Sequence, residues 1–108
     1  MIVITEQISQ ETFNELTDGL AMVKVVVDVE KEIFAAGCEL HVDCAEKLAE
    51  EGSSWKNLWG ANIYPKTGKI DFVSLINIRP AVGNREMEIK DQRIRKQIEL
   101  IIKNLLPA

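Results

Sequence analysis

The amino-acid sequence predicts an α+β domain, a mainly antiparallel sheet of about five strands packed against three helices. Three patterns predict it. Residues 23–30 alternate with the two-residue period of a strand and place β-branched side chains on one face. Two strand-like segments, residues 58–64 and 69–79, flank the turn sequence PKTG at residues 65–68. Isoleucines and leucines within residues 94–106 recur at the spacing of an amphipathic helix.

The composition is that of one ordinary globular domain, residues 1–108, with 46% hydrophobic and 28% charged residues. No apolar run approaches the roughly 20 residues that span a membrane, and the first residues lack the pattern of a signal peptide. We therefore expect a cytoplasmic protein with no membrane partner. Cys38 and Cys44 are too few for a disulfide framework, and we expect reduced thiols.

The net charge of −4 argues against a general nucleic-acid binder. Acidic residues are concentrated in the N-terminal half of the chain and basic residues in the C-terminal half. One interpretation is that the two halves pack together through complementary surfaces. The other is a basic face that meets an anion or an acidic partner.

The first third of the chain contains a strand, a helix and a segment with two interpretations. Residues 2–5 predict a strand, and Ser9 is a typical N-cap for a helix that Gly19 ends. Residues 23–30 and the apolar run Ile33–Ala36 predict a β-hairpin, although the turn between them lacks the glycine or asparagine of a two-residue turn. The alternative is a helix over residues 26–36, closed by Gly37.

Two further helices are marked by their capping residues. Asp43 and Glu46 have the spacing of a capping box, which predicts a helix that begins there and ends at Gly52. Asp91 is the expected cap of the last helix. Just before it, residues 87–89 are expected to add a short strand.

The PKTG turn sets the register of the central hairpin, because a four-residue loop pairs Tyr64 with Lys69. If this pairing continues to residue 79, Asn77 lies opposite residue 56 and does not share a site with Asn62. One face of the hairpin is then almost wholly apolar and is predicted to form the core beneath the last helix: Trp59, Ala61, Ile63, Ile70, Phe72, Ile76 and Ile78.

The first candidate site is the heptapeptide CELHVDC at residues 38–44. It holds four side chains that can bind zinc, but not with the spacing of a structural zinc site, so no metal site is predicted. His41 is the only histidine and is therefore the first candidate for proton transfer near neutral pH. No serine or cysteine nucleophile can be paired with His41 from the sequence, and a surface or cap histidine is the simpler interpretation.

The second candidate is a ligand-binding site formed by four residues: Asn77, Arg79, Asn84 and Arg85. The two arginines flank a Gly-Asn loop, and guanidinium groups together with loop amides can hold a carboxylate or a phosphate. The loop lacks the glycine and lysine spacing of a P-loop. The alternative is that the arginines pair with acidic residues such as Glu86 and Glu88.

Five segments resemble a family of small bacterial proteins catalogued as a domain of unknown function: VKVVVDV at 23–29, ELH at 39–41, LWGANIYP at 58–65, SLINIRP at 74–80 and GNREMEI at 83–89. The resemblance implies glycine near positions 32 and 38, where this chain has Glu32 and Cys38. It thereby favours the hairpin for residues 23–36, and it implies that Cys38 is not a required metal ligand or nucleophile. It implies no activity.

The sequence supports two functional hypotheses. The first is a non-enzymatic binding or protein-interaction module that forms a homo-oligomer, because edge strands and a half-covered sheet face leave apolar surface available. The second is a small enzyme or ligand-binding protein for an anionic metabolite, with His41 and the Arg79/Arg85 loop around a carboxylate or phosphate. Neither hypothesis calls for a cofactor.

Overall fold

Five antiparallel strands in the order β1-β3-β2-β4-β5 form the centre of the protein, whose computed structural model describes residues 1–108. The strands are β1 (Ile2–Ile4), β2 (Val23–Asp28), β3 (Ile33–Ala36), β4 (Leu58–Tyr64) and β5 (Lys69–Asp71). The helices are α1 (Gln10–Thr17), α2 (His41–Glu50) and α3 (Gln92–Leu105). The predicted α+β class, with a five-stranded antiparallel sheet, three helices and a C-terminal helix, is confirmed.

Helices cover both faces of the sheet. On one face, α3 buries Ile98, Ile102 and Leu105 in the larger core, which includes Trp59, and Leu16 of α1 packs against the same core. On the other face, α2 packs a smaller core around Val26, Ala35 and Leu58. Because β2 lies inside the sheet, it is buried on both faces and needs apolar residues on each.

Residues 23–36 form the predicted hairpin, and the alternative helix over residues 26–36 is wrong. The turn needs no glycine at its start because the Asp28 carboxylate organises it. Asp28 Oδ1 accepts hydrogen bonds from the backbone N–H groups of Glu30 and Lys31, both at 2.9 Å. Glu32 then adopts φ 57°, the left-handed region that favours glycine. This agrees with the glycine that the family resemblance implies near position 32.

The helix α2 begins at His41, two residues before the predicted cap. Leu40 occupies the N-cap position and provides no side-chain hydrogen bond, while Asp43 lies inside the first turn. The capping role predicted for Asp43 is therefore wrong. Ser9 and Asp91 do cap α1 and α3, since their side chains accept hydrogen bonds from the first turn of each helix.

The register of the central hairpin is confirmed, but only for three residue pairs. Tyr64 pairs with Lys69, and the ladder ends where Asn62 pairs with Asp71. The predicted strand over residues 69–79 is therefore wrong beyond Asp71. Ser74 instead begins a 3-10 turn, Leu75–Asn77, in which its hydroxyl accepts a hydrogen bond from the backbone of the turn.

The early end of β5 changes the predicted core face. Phe72 remains in the larger core with Trp59, as expected. Ile76 packs against the smaller core on the opposite face, and Ile78 is 41% exposed. The prediction that both isoleucines belong to the core beneath α3 is wrong, because the chain leaves the ladder before reaching them. The short strand predicted at residues 87–89 is reduced to a single bridge between Val73 and Glu88.

Cys38 and Cys44 form a disulfide, and no cysteine is free. The expectation of reduced thiols is therefore wrong for this structure. The bond is local: it joins the loop after β3 to the first turns of α2. No helix in the structure combines the length and apolar character required to cross a membrane.

Candidate functional site

Asn77, one of the four predicted ligand-binding residues, is fully buried, and its side chain is hydrogen-bonded to the main chain. Its side chain accepts from the Gly60 N–H at 2.8 Å and donates to the Gly60 carbonyl at 2.9 Å. It also donates to the carbonyls of Phe72 and Met87, both at 3.2 Å. Because β5 has ended at Asp71, the Asn77 amide supplies the hydrogen bonds that a longer neighbouring strand would have given to β4.

Arg79 extends the same arrangement along β4. Its guanidinium donates to the carbonyls of Leu58, Lys56 and Ile76 and lies over the Trp59 ring, 4.2 Å from the ring centre. Partial burial lowers the pKa of Arg79 from its usual value. Three of the five N–H donors of the group are therefore directed at main-chain carbonyls.

Asn84 is also engaged by the main chain. Its amide nitrogen donates to the carbonyls of Asn77, Glu86 and Glu88, and its oxygen accepts from the N–H of Lys90. Asn77, Arg79 and Asn84 therefore hold the loop in place. Of the four residues predicted to bind a ligand, Arg85 alone is exposed, and it forms no salt bridge.

His41, at the start of α2, is placed against β4 by a hydrogen bond. Its Nε2 lies 2.9 Å from the carbonyl oxygen of Ala61. Because a carbonyl can only accept, Nε2 carries the proton, and Nδ1 is the acceptor of the neutral ring. Burial lowers the pKa of His41, and this outweighs the opposing effects of the Ala61 carbonyl and of the nearby Asn62 side chain. Burial therefore favours the neutral form of the ring.

Asn62 lies in β4 next to Ala61 and is only 5% exposed. Its Nδ2 donates to the Asp71 carboxylate at 2.7 Å and to the Val73 carbonyl at 2.9 Å. The other Asp71 oxygen accepts from the Tyr64 hydroxyl at 2.6 Å, and this bond raises the pKa of Tyr64. The Oδ1 atom of Asn62 is buried and accepts no hydrogen bond within the protein.

Gly60 allows His41 and the Ser74 segment to meet over β4. A Cβ atom at position 60 would lie 2.5 Å from Ser74 Cβ and 3.2 Å from His41 Cδ2. The first of these distances is shorter than real Cβ contacts, so any side chain at this position would displace one neighbour. A residue without a side chain is therefore a condition for the site.

An apolar pocket opens between the start of α2 and the segment that follows β5. Its volume is about 340 Å³. The polar side chains in its lining are Lys24, His41, Asn62 and Ser74. The apolar ones are Met22, Leu40, Val42, Val73, Leu75, Ile76 and Met87. None of the four predicted ligand-binding residues lines the pocket, so His41 and the two arginines do not share it.

The pocket contains few polar side chains. His41 offers one neutral acceptor, Nδ1, and the side chains of Lys24 and Asn62 are further polar groups in the mostly apolar lining. Ser74, the one hydroxyl in the lining, already caps the 3-10 turn. No group of three His, Cys, Asp or Glu side chains is placed to hold a metal ion.

The apolar rim was missed from the sequence. Leu40 and Leu75 are 58% and 72% exposed. In the sequence they look like core residues of ordinary elements. The signal that could have identified them is an apolar residue at a helix N-cap and another at the first position of a 3-10 turn, where side chains point away from a packed face.

Comparison with known proteins gives a family but no activity. Residues 2–105 match the model of a family described as "Protein of unknown function (DUF5674)". No curated protein matches the chain. No solved structure matches it either.

Proposed function

We propose that this chain, which belongs to the DUF5674 family, is a non-enzymatic protein-interaction module. Its pocket beside His41 would receive an apolar side chain of a partner protein. The observation that carries the proposal is the exposed apolar rim around an apolar cavity. Contiguous exposed apolar surface is uncommon on monomeric proteins and is typical of interaction sites.

The rim favours a protein over a small molecule as the occupant. A cavity of about 340 Å³ is at the small end of ligand pockets and suits one leucine or phenylalanine side chain. Leu75 and Leu40 lie at its edge and are more than half exposed. A small molecule inside the cavity would leave them in water, whereas a protein surface would cover them around a central anchor.

The lining can also adapt to anchor side chains of different shapes. Met22 and Met87 are unbranched and adapt to different side chains. The neutral His41 can accept one hydrogen bond from the partner through Nδ1. The anionic-metabolite hypothesis has less support, because Asn77, Arg79 and Asn84 are already bonded to the main chain.

The second part of the proposal is that two copies of the chain associate through β1. This strand is at the edge of the sheet, with one side unpaired, and Met1 and Ile2 are exposed there. Leu20 lies beside them around a shallow depression. A second copy could add its own β1 to this edge. Light scattering over a range of concentrations is expected to show a dimer, and a monomer at every concentration would contradict this part.

The pocket is tested by selecting peptides from a displayed library against the immobilised protein. We expect the selected peptides to share an aromatic or branched aliphatic anchor. In solution they should shift the methyl resonances of Leu40, Val42 and Met87. The variant Leu75→Asp should weaken binding at least tenfold, because it places a charge on the rim at a cost of about 1.4 kcal/mol or more.

Leu100→Asp is the matched control for Leu75→Asp. Leu100 is an exposed leucine on α3 and does not line the pocket. Its replacement should leave peptide binding unchanged. Equal losses in both variants, or methyl shifts confined to another surface, would refute the proposed site.

A further inference from the structure

We infer that the Cys38–Cys44 disulfide is a redox-sensitive latch on the pocket, and that its reduction weakens binding of the apolar anchor. The inference rests on the proposed function, because it assigns a regulation to the same pocket. The two cysteines are six positions apart. The segment they enclose contains Leu40, His41 and Val42, three consecutive residues that line the pocket.

Few other bonds hold the part of this segment that precedes α2. The N-cap of α2 provides no side-chain hydrogen bond. Glu39 is held through its carbonyl by the exposed Lys24 ammonium at 2.6 Å, and Gly37 donates to the Lys24 carbonyl at 3.1 Å. His41 adds its bond to Ala61. The disulfide and a hydrogen bond from the Asp43 N–H to the Leu40 carbonyl, at 3.0 Å, tie the residues before α2 to this helix.

The two ends of the disulfide differ in burial. Cys44 is fully buried in the smaller core beside Ala45 and Leu48. Cys38 is partly buried and lies in the loop. After reduction Cys44 would stay with its helix, whereas Cys38 and the loop residues next to it would gain freedom. The part of the pocket wall formed by Leu40, which precedes α2, would then lose its fixed position.

The reaction is a two-electron thiol–disulfide exchange with a dithiol reductant. A thiolate of the reductant attacks Sγ of Cys38, the more accessible sulfur, and the electron pair of the broken bond leaves on Sγ of Cys44. The second thiol of the reductant then attacks the mixed disulfide and releases Cys38. The reductant becomes a disulfide, and its two protons end on Cys38 and Cys44.

The test compares the oxidised and the dithiothreitol-reduced protein, with N-acetyl-phenylalaninamide as the probe of the pocket. If the loosened wall is binding-competent for a tenth of the time, the Kd of the probe rises about tenfold on reduction. Reoxidation should restore it. The variant Cys38→Ser/Cys44→Ser should show the weaker binding and no response to dithiothreitol.

A second measurement tests the effect of the disulfide without relying on binding of the probe. Amide hydrogen exchange should accelerate on reduction at residues 39–44 and stay unchanged in α3. If the oxidised protein does not bind the probe, the proposed function fails, and faster exchange at residues 39–44 still supports the latch. Equal Kd values in both redox states, or unchanged exchange in this segment, would overturn the latch.

Discussion

Replacing Asn77 with alanine tests whether one side chain substitutes for a missing length of strand. The substitution removes the bonds of the amide to both backbone groups of Gly60 and to the carbonyls of Phe72 and Met87. Gly60 is buried, so water does not replace these partners. A buried polar group left without a partner costs about 1–3 kcal/mol. Two such groups on Gly60 alone predict a loss of about 2–6 kcal/mol.

That loss is a large part of the total for a small domain, whose free energy of unfolding is about 5–15 kcal/mol. Urea unfolding followed by circular dichroism and tryptophan fluorescence measures it. Asn104→Ala is the control, because Asn104 is exposed on α3 and its replacement should change the free energy by less than about 0.5 kcal/mol. A loss below about 1 kcal/mol for Asn77→Ala would refute the reasoning.

The isosteric variant Asn77→Asp separates hydrogen bonding from packing. It keeps an acceptor for the Gly60 N–H but places a carboxylate against three carbonyl oxygens. At neutral pH it should be at least as destabilised as Asn77→Ala. Its stability relative to wild type should improve as the pH falls, because a protonated carboxyl can donate one bond again. A pH-independent difference between the two proteins would contradict this account.

Two further predictions concern the turn and the histidine. Glu32→Gly should stabilise the protein by up to about 1 kcal/mol, because it removes a cost of roughly 1–2 kcal/mol for a side chain at the observed φ of 57° and adds the smaller entropic cost of glycine; a loss of stability in urea unfolding would contradict it. His41→Gln should flatten the pH dependence of stability below about pH 6.5. The pKa of His41 is lowered on folding, so the unfolded chain binds the proton first and wild type loses stability as the pH falls. Identical pH profiles for wild type and His41→Gln would contradict that prediction.

The elements that the sequence predicted well are those set by neighbouring residues. The PKTG turn determines the Tyr64–Lys69 pairing locally, and Ser9 and Asp91 cap helices that begin beside them. The length of β5 is decided by distant contacts. Gly60 leaves room for Ser74, and Asn77 completes the bonding of β4. The alternation of apolar and polar residues over 69–79 indicates neither of these two contacts.

The candidate site was only partly predictable for the same reason. His41 was identified because it is the only histidine, and the structure places it in the pocket. Its companions Leu40 and Leu75 come from separate segments that the fold brings together, and no local pattern links them. Arg79 shows the opposite case. An arginine in a loop indicates an anion-binding site, but Arg79 donates to main-chain carbonyls of residues 56 and 58, which the short strand β5 does not reach.

The two edges of the sheet differ in a way that limits how copies of this protein can assemble. The β5 edge is three residues long, and two of them, Lys69 and Asp71, are charged. Beyond it, Asn77 and Arg79 already occupy the backbone groups of β4. A strand from another copy can therefore be added to the sheet at β1. Two copies joined through β1 about a twofold axis would use up that edge in both, so assembly would stop at a pair and not continue into a fibre.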